Sequence, residues 1–93
     1  MTPSGPSFVP LGRTVATPAA LAAVSPLDIA AALRRHSSGD WGDVDPDDRA
    51  ANDAALKSGE RLLSVYRSAT GTTFWVITEA DRSATTVLLP DDY

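Results

Sequence analysis

Before Gly59 the apolar positions of this chain recur every three or four residues; after it they alternate. Leu27, Ile29, Ala30, Ala31 and Leu33 form one broad stripe at helical period, and Ala51, Ala54, Ala55 and Leu56 form another. Three pairs punctuate this half: Thr17-Pro18, Ser25-Pro26 and Asp45-Pro46. In each, a side-chain oxygen can accept an orphan N–H of a first helical turn, and proline supplies a φ suited to that turn. The pattern predicts a short helix from Pro18, a longer one from Pro26 to Ser38, and a third from Pro46 to Ser58, stopped by Gly59. Asp28, Asp47 and Asp48 fall in first turns and Arg34, Arg35 and His36 in a last turn, each at the end of the helix dipole that favours its charge.

The second half reads as strands. RLLSVYRS, TFWVITEA and ATTVLLP are rich in β-branched and aromatic residues. ATGT, centred on Gly71, and ADRS separate them as turns, and Pro90 ends the last. Upstream, FVPLGRTVAT, with Phe8, Leu11, Thr14 and Val15, predicts a short strand that Pro10 restricts to an edge. The fold class expected is α+β: two to three helices packed on one face of a three- to four-stranded antiparallel sheet. Residues 1–7, rich in proline and small polar residues, read as a disordered tail, and residues 8–93 as a single domain.

Composition narrows the chemistry. At 93 residues the chain suits one small domain. With no cysteine it has no disulfide, thiolate metal site or cysteine nucleophile. The beginning of the chain lacks the basic and apolar regions of a secretory signal, and no apolar run approaches a membrane span. A cytoplasmic protein with no membrane association is the expectation. The net charge of −4 and the scattered arginines argue against nucleic acid as a partner.

The stretch RHSSGDWGDVDPDD, from Arg35, holds the only histidine and five aspartates. Asp45, Asp47 and Asp48 sit where a helix start favours acids, and Gly39 and Gly42 allow the chain to reverse. That leaves His36, Asp40, Trp41 and Asp43 as candidates for function. Asp43, Asp45 and Asp47 have the opening spacing of a calcium loop, but Asp48 replaces its glycine and Ala54 its closing glutamate. A transition-metal site on His36, Asp40 and Asp43 would want a second histidine. Acid–base catalysis by His36 oriented by Asp40 lacks a nucleophile in an elbow motif. Six aspartates between Asp40 and Asp53 could imitate phosphates, although half have helix-start roles. At the hairpin tip TEADRS, the acids Glu79 and Asp81 and the base Arg82 could grip a partner.

FVPLGRTVATPAAL, RHSSGDWGDVDPDDRAANDAAL and GERLLSVYRSATGTTFWVITEADRSATTVLLPDDY together resemble a family of small uncharacterised bacterial proteins described as plasmid-related. Some carry the name of a type I restriction enzyme subunit. The resemblance spans Phe8 to Tyr93, with this chain shorter than the family form between Val24 and Ser25. A chain of this length without a glycine-rich cofactor loop has no room for a methyltransferase. The resemblance implies a small free-standing bacterial protein linked to mobile elements or host-defence conflict. It assigns no catalytic residue, and it draws emphasis to His36, Gly39, Asp40, Trp41, Gly42, Asn52, Glu79, Asp81 and Arg82, which occupy its motif positions.

The function expected is an accessory protein that binds another macromolecule, a protein, without cofactor or metal. His36, Asp40 and Trp41 would form one side of the surface and Glu79, Asp81 and Arg82 the other. Trp41 either seals the core or anchors the partner, and tryptophan and arginine are the commonest interface anchors. The alternatives are a small enzyme using His36 with nearby carboxylates and an acidic nucleic-acid mimic.

Overall fold

A computed structural model describes residues 9–93. The expected tail over residues 1–7, and Phe8, lie outside the described residues. The chain runs β1 (Arg13–Ala16), α1 (Pro18–Ala23), α2 (Pro26–Ser37), α3 (Pro46–Ser58), β2 (Leu62–Arg67), β3 (Thr73–Thr78) and β4 (Ala84–Leu88), then a 3-10 turn at Pro90–Asp92. The class is α+β as the alternation predicts. All three cap pairs form: Thr17 Oγ1, Ser25 Oγ and Asp45 Oδ1 accept from the amides of Ala20, Asp28 and Asp48 at 3.1, 3.1 and 2.8 Å.

The sheet order is β1-β4-β3-β2. β2, β3 and β4 form an antiparallel meander, while β1 pairs parallel with β4. The sheet is therefore mixed. The chain leaves β1, crosses the sheet through the three helices, and re-enters at the opposite edge, so β1 and β4 point the same way.

Register sorts the side chains onto two faces. Ala16, Val87, Val76 and Ser64 make one row on the helix face, and Thr14, Thr85, Thr78 and Leu62 make the next. Two apolar clusters lie between this face and the helices. One contains Ala20, Val24, Ala32, Tyr66, Phe74, Val76 and Val87. The other gathers Val9, Trp41, Val44, Ala55 and Leu62. Trp41 is thus a core residue, 3% exposed.

Two predicted stripes are displaced. Leu27 is 82% exposed, because the buried line of α2 runs through Ile29, Ala32, Leu33 and His36, and Leu27 falls on the far side. In α3 the alanines at 51 and 54 face solvent while Asn52 is buried. The reason is the edge of β2. Asn52 donates from Nδ2 to the Leu63 carbonyl at 2.7 Å and accepts from the Leu63 amide at 3.1 Å, as a neighbouring strand would. One step along, the Val65 amide donates to the Trp41 carbonyl and the Asp43 amide to the Val65 carbonyl, at 3.0 and 2.7 Å. An edge strand with open hydrogen-bonding groups invites pairing with other chains. Here those groups are covered by one amide side chain and one crossing loop.

That crossing depends on Gly42, whose φ is +74°. A Cβ there would collide with the Val65 carbonyl oxygen and lie 2.7 Å from Tyr66 Cδ1. Gly59 at the end of α3 has a similar φ of +77° but nothing within 4 Å. Gly59→Ala is expected to lower stability by about 1 kcal/mol, the cost of a left-handed alanine. Gly42→Ala is expected to lose more than about 3 kcal/mol, because strain and collision add. Denaturant melts compare them directly, and equal losses would mean that the crossing is not closely packed.

Candidate functional site

The α2–α3 junction carries the first group of candidate residues. Asp40 is half-exposed and already bonded: it receives Arg35 Nε at 2.7 Å and Nη2 at 3.2 Å, and the Gly42 amide at 3.1 Å. Arg35 in turn lies 4.7 Å above the Tyr66 ring centroid, and the Tyr66 hydroxyl donates to the Asp40 carbonyl at 2.6 Å. The Arg35 hydrogen bonds hold the Asp40 carboxyl below the usual carboxylate range. Burial raises the Tyr66 phenol to about 12. Trp41 Nε1 donates to Asp53 Oδ1 at 3.0 Å. Gly39, Asp40, Trp41, Gly42, Arg49 and Asp53 line a shallow cleft of about 290 Å³. Its chemistry is limited. A carboxylate held ionised by arginine is a poor proton donor, and Asp53 is engaged by the indole.

His36 lies inside the protein, 0% exposed, rather than on a surface where a partner or substrate would meet it. Its ring packs edge-on against Trp41, with centroids 5.6 Å apart. Nδ1 is 2.6 Å from Ser64 Oγ and Nε2 is 2.8 Å from Thr78 Oγ1. Thr78 Oγ1 is 2.7 Å from Thr85 Oγ1, which donates to the Leu11 carbonyl at 2.7 Å. The terminal carbonyl fixes the protons along this line as far as His36 Nε2, and the neutral state of the buried ring fixes the last. A carbonyl only accepts, so the one Thr85 hydroxyl proton points to Leu11. Thr78 must then donate to Thr85, His36 Nε2–H to Thr78, and Ser64 to Nδ1. The imidazole is the neutral Nε2–H tautomer. Burial, aided by the charge of Arg82, lowers its pKa to about 4.

At the β3–β4 turn, Arg82 has a φ of +62°. Its guanidinium donates to the carbonyls of Glu60, Glu79 and Ala80 from Nη1 and to Ala55 from Nη2, at 2.7 to 3.3 Å. It therefore clamps the end of α3 to the hairpin. Asp81 accepts from the Ser83 amide at 3.0 Å and is exposed, as is Glu79. The two candidate groups meet α3 at different levels, Asp40 and Trp41 beside Arg49 and Asp53, Arg82 at Ala55 and beyond.

No helix covers the face of the sheet away from α1–α3, although Ile77 and Leu88 on it are only 4% and 6% exposed. Register places Val15, Thr86, Ile77 and Leu63 in one row of that face and Leu88, Trp75 and Val65 in the next. Tyr93 folds back over it. Its ring meets Trp75 edge-on with centroids 5.6 Å apart, and Arg61 lies 5.2 Å from the Tyr93 centroid. Arg61, Leu63, Trp75, Ile77 and Tyr93 line a mainly apolar pocket of about 240 Å³. In the sequence Leu63, Trp75 and Ile77 are ordinary strand residues, and nothing local ties Arg61 and Tyr93 to them. The alternation that places Leu63, Trp75 and Ile77 on one side was legible, but not which side the helices would leave bare.

No protein-family model matches the chain, and no curated protein or solved structure matches it either.

Two outcomes follow from the polar contacts. The folded His36 pKa lies below its unfolded value of 6.5, so protons bind the unfolded chain more strongly. The stability tied to neutral His36 is full above pH 6.5 and falls as pH drops toward about 4. Wild type is expected to lose about 1.5 kcal/mol between pH 6.5 and 5, above the range in which Asp40 titrates. In His36→Gln that slope should vanish although the variant is less stable throughout; chemical melts across this range decide it. Asp45→Ala should cost about 1 kcal/mol at neutral pH with an unchanged circular dichroism spectrum, and an unshifted midpoint would show that the cap contributes nothing.

Proposed function

We propose that this chain is a small accessory protein that works by binding another protein, and that the uncovered face of its sheet is the contact surface. One observation supports the reading most: the helices occupy a single face, and the opposite face gathers a tryptophan, a tyrosine and an arginine around an apolar floor. Those three residue types dominate binding energy at protein interfaces. The junction around Asp40 is a weaker surface, because its charged groups satisfy one another and its aromatic ring is buried. The resemblance to plasmid-related bacterial proteins supports a place in mobile-element biology or host-defence conflict. An enzymatic role for His36 finds little support in a ring sealed from solvent.

The test compares faces. Affinity capture from an extract of the source organism is run with wild type, with an Arg61→Glu, Tyr93→Ser double variant, and with Asp40→Ala. Both Arg61 and Tyr93 are exposed, so the double variant should melt within about 1 kcal/mol of wild type. It is expected to lose the captured protein, while Asp40→Ala retains it. The reverse pattern would move the contact surface to the α2–α3 junction. Identical capture by all three would reject both surfaces.

A further inference from the structure

We infer that the pocket between Arg61, Leu63, Trp75, Ile77 and Tyr93 receives an apolar side chain from an acidic segment of a partner protein, an inference that rests on the sheet-face reading above.

Size comes first. Small-molecule and cofactor sites usually enclose roughly 300–1,000 Å³. This pocket holds about 240 Å³ and is open on one side, which suits one bulky side chain better than a free cofactor. Its lining is aliphatic at Leu63 and Ile77 and aromatic at Trp75 and Tyr93, so the inserted group is apolar.

Charge then selects the neighbours of that group. The one ion pair among the described residues is Arg35–Asp40, on the helix side. Arg61 stacks on Tyr93 without a carboxylate partner. By register Arg13 and Arg67 point to the same bare face, at diagonally opposite ends of the sheet, and neither forms an ion pair. Asp40, Asp43, Asp45, Asp47, Asp48 and Asp53 all belong to α3 or the loop before it, on the helix side. A protein of net charge −4 thus leaves three guanidinium groups around its apolar face. Glu79 lies in the row between Arg13 and Arg61, and Asp91 and Asp92 precede Tyr93 in the 3-10 turn, with Asp92 already accepting from the Thr17 hydroxyl and the Leu89 amide. Complementarity calls for carboxylates beside the inserted side chain. A second copy joined through the same face would bring arginines against arginines. Nucleic acid would gain from the arginines and aromatic rings, but it would leave the aliphatic floor unfilled and meet the protein's net negative charge.

The test uses isotope-labelled full-length protein and short synthetic peptides with a central Leu or Phe flanked by Glu, Gln or Lys. A Glu-flanked peptide with Ala at the centre and an oligothymidylate complete the set. The readout is NMR shifts of the Leu63 and Ile77 amides and the Trp75 indole N–H. The Glu-flanked Leu or Phe peptide is expected to shift all three and to bind about tenfold more tightly than its Gln counterpart, with the Lys peptide weakest. Arg61→Glu should invert the order of the Glu and Lys peptides. Equal affinity across the flanks would overturn the acidic part of the inference and leave the sheet face as a contact surface. Equal binding of the Ala-centred peptide would overturn the pocket's role. Peptide-induced shifts confined to residues around Asp40 would overturn this inference and the sheet-face reading together. Tighter binding of the oligothymidylate than of any peptide would replace the protein partner with single-stranded nucleic acid.

Discussion

A single line of hydrogen bonds, from Ser64 through His36, Thr78 and Thr85 to the Leu11 carbonyl, holds the two halves of this protein in register. It joins β2, α2, β3, β4 and the segment before β1. Each net hydrogen bond contributes only about 1 kcal/mol, but an orphaned buried group costs about 1–3 kcal/mol. The line takes its direction from one carbonyl, so loss of any link leaves a neighbour without its partner. Among the described residues no buried side-chain nitrogen or oxygen lacks a partner. The seam runs where the Val76 row of the sheet meets the Leu62 row, between the two apolar clusters, and it ties together a core that would otherwise be two small ones.

From that seam the α2–α3 junction takes its shape. His36 fixes the last turn of α2, and Trp41 packs against its ring. The chain then crosses the edge of β2 at Gly42, where no side chain fits. Arg35, Asp40 and Tyr66 lock the same corner from outside. The exposed ion pair contributes about 0–1 kcal/mol. Its larger effect is geometric, since Asp40 also accepts the Gly42 amide and so sets the turn. Together with Asn52 this corner closes the β2 edge. The chemistry that made RHSSGDWG conspicuous is therefore mostly engaged in folding.

The sheet is consequently two-sided. The helix side is sealed and carries most of the acids. The helix-free side carries Arg13, Arg61 and Arg67, which form no ion pair among the described residues, and Tyr93 packs against its tryptophan. No helix of the described residues is long and apolar enough to cross a membrane.

Local rules sufficed for the elements. The three cap-plus-proline pairs, Gly59 in the left-handed conformation and the switch from helical to alternating period place the helices and the meander from sequence, because each depends on neighbours a few residues away. The same rules explained Asp45, Asp47 and Asp48 and suggested that Trp41 could seal the core. They could not reveal that His36 is buried between Ser64 and Thr78, 28 and 42 residues away in the chain. Nor could they show that Asn52 completes a strand edge, that Arg82 clamps a helix end, or that β1 runs parallel to β4. A hydroxyl, an amide or a guanidinium is ambiguous in sequence, because its role is set by whichever distant backbone group it meets. Alternation likewise showed that Trp75, Ile77 and Leu63 share a side of the sheet. Only the path of the helices across the opposite side decided that theirs would be the face left open.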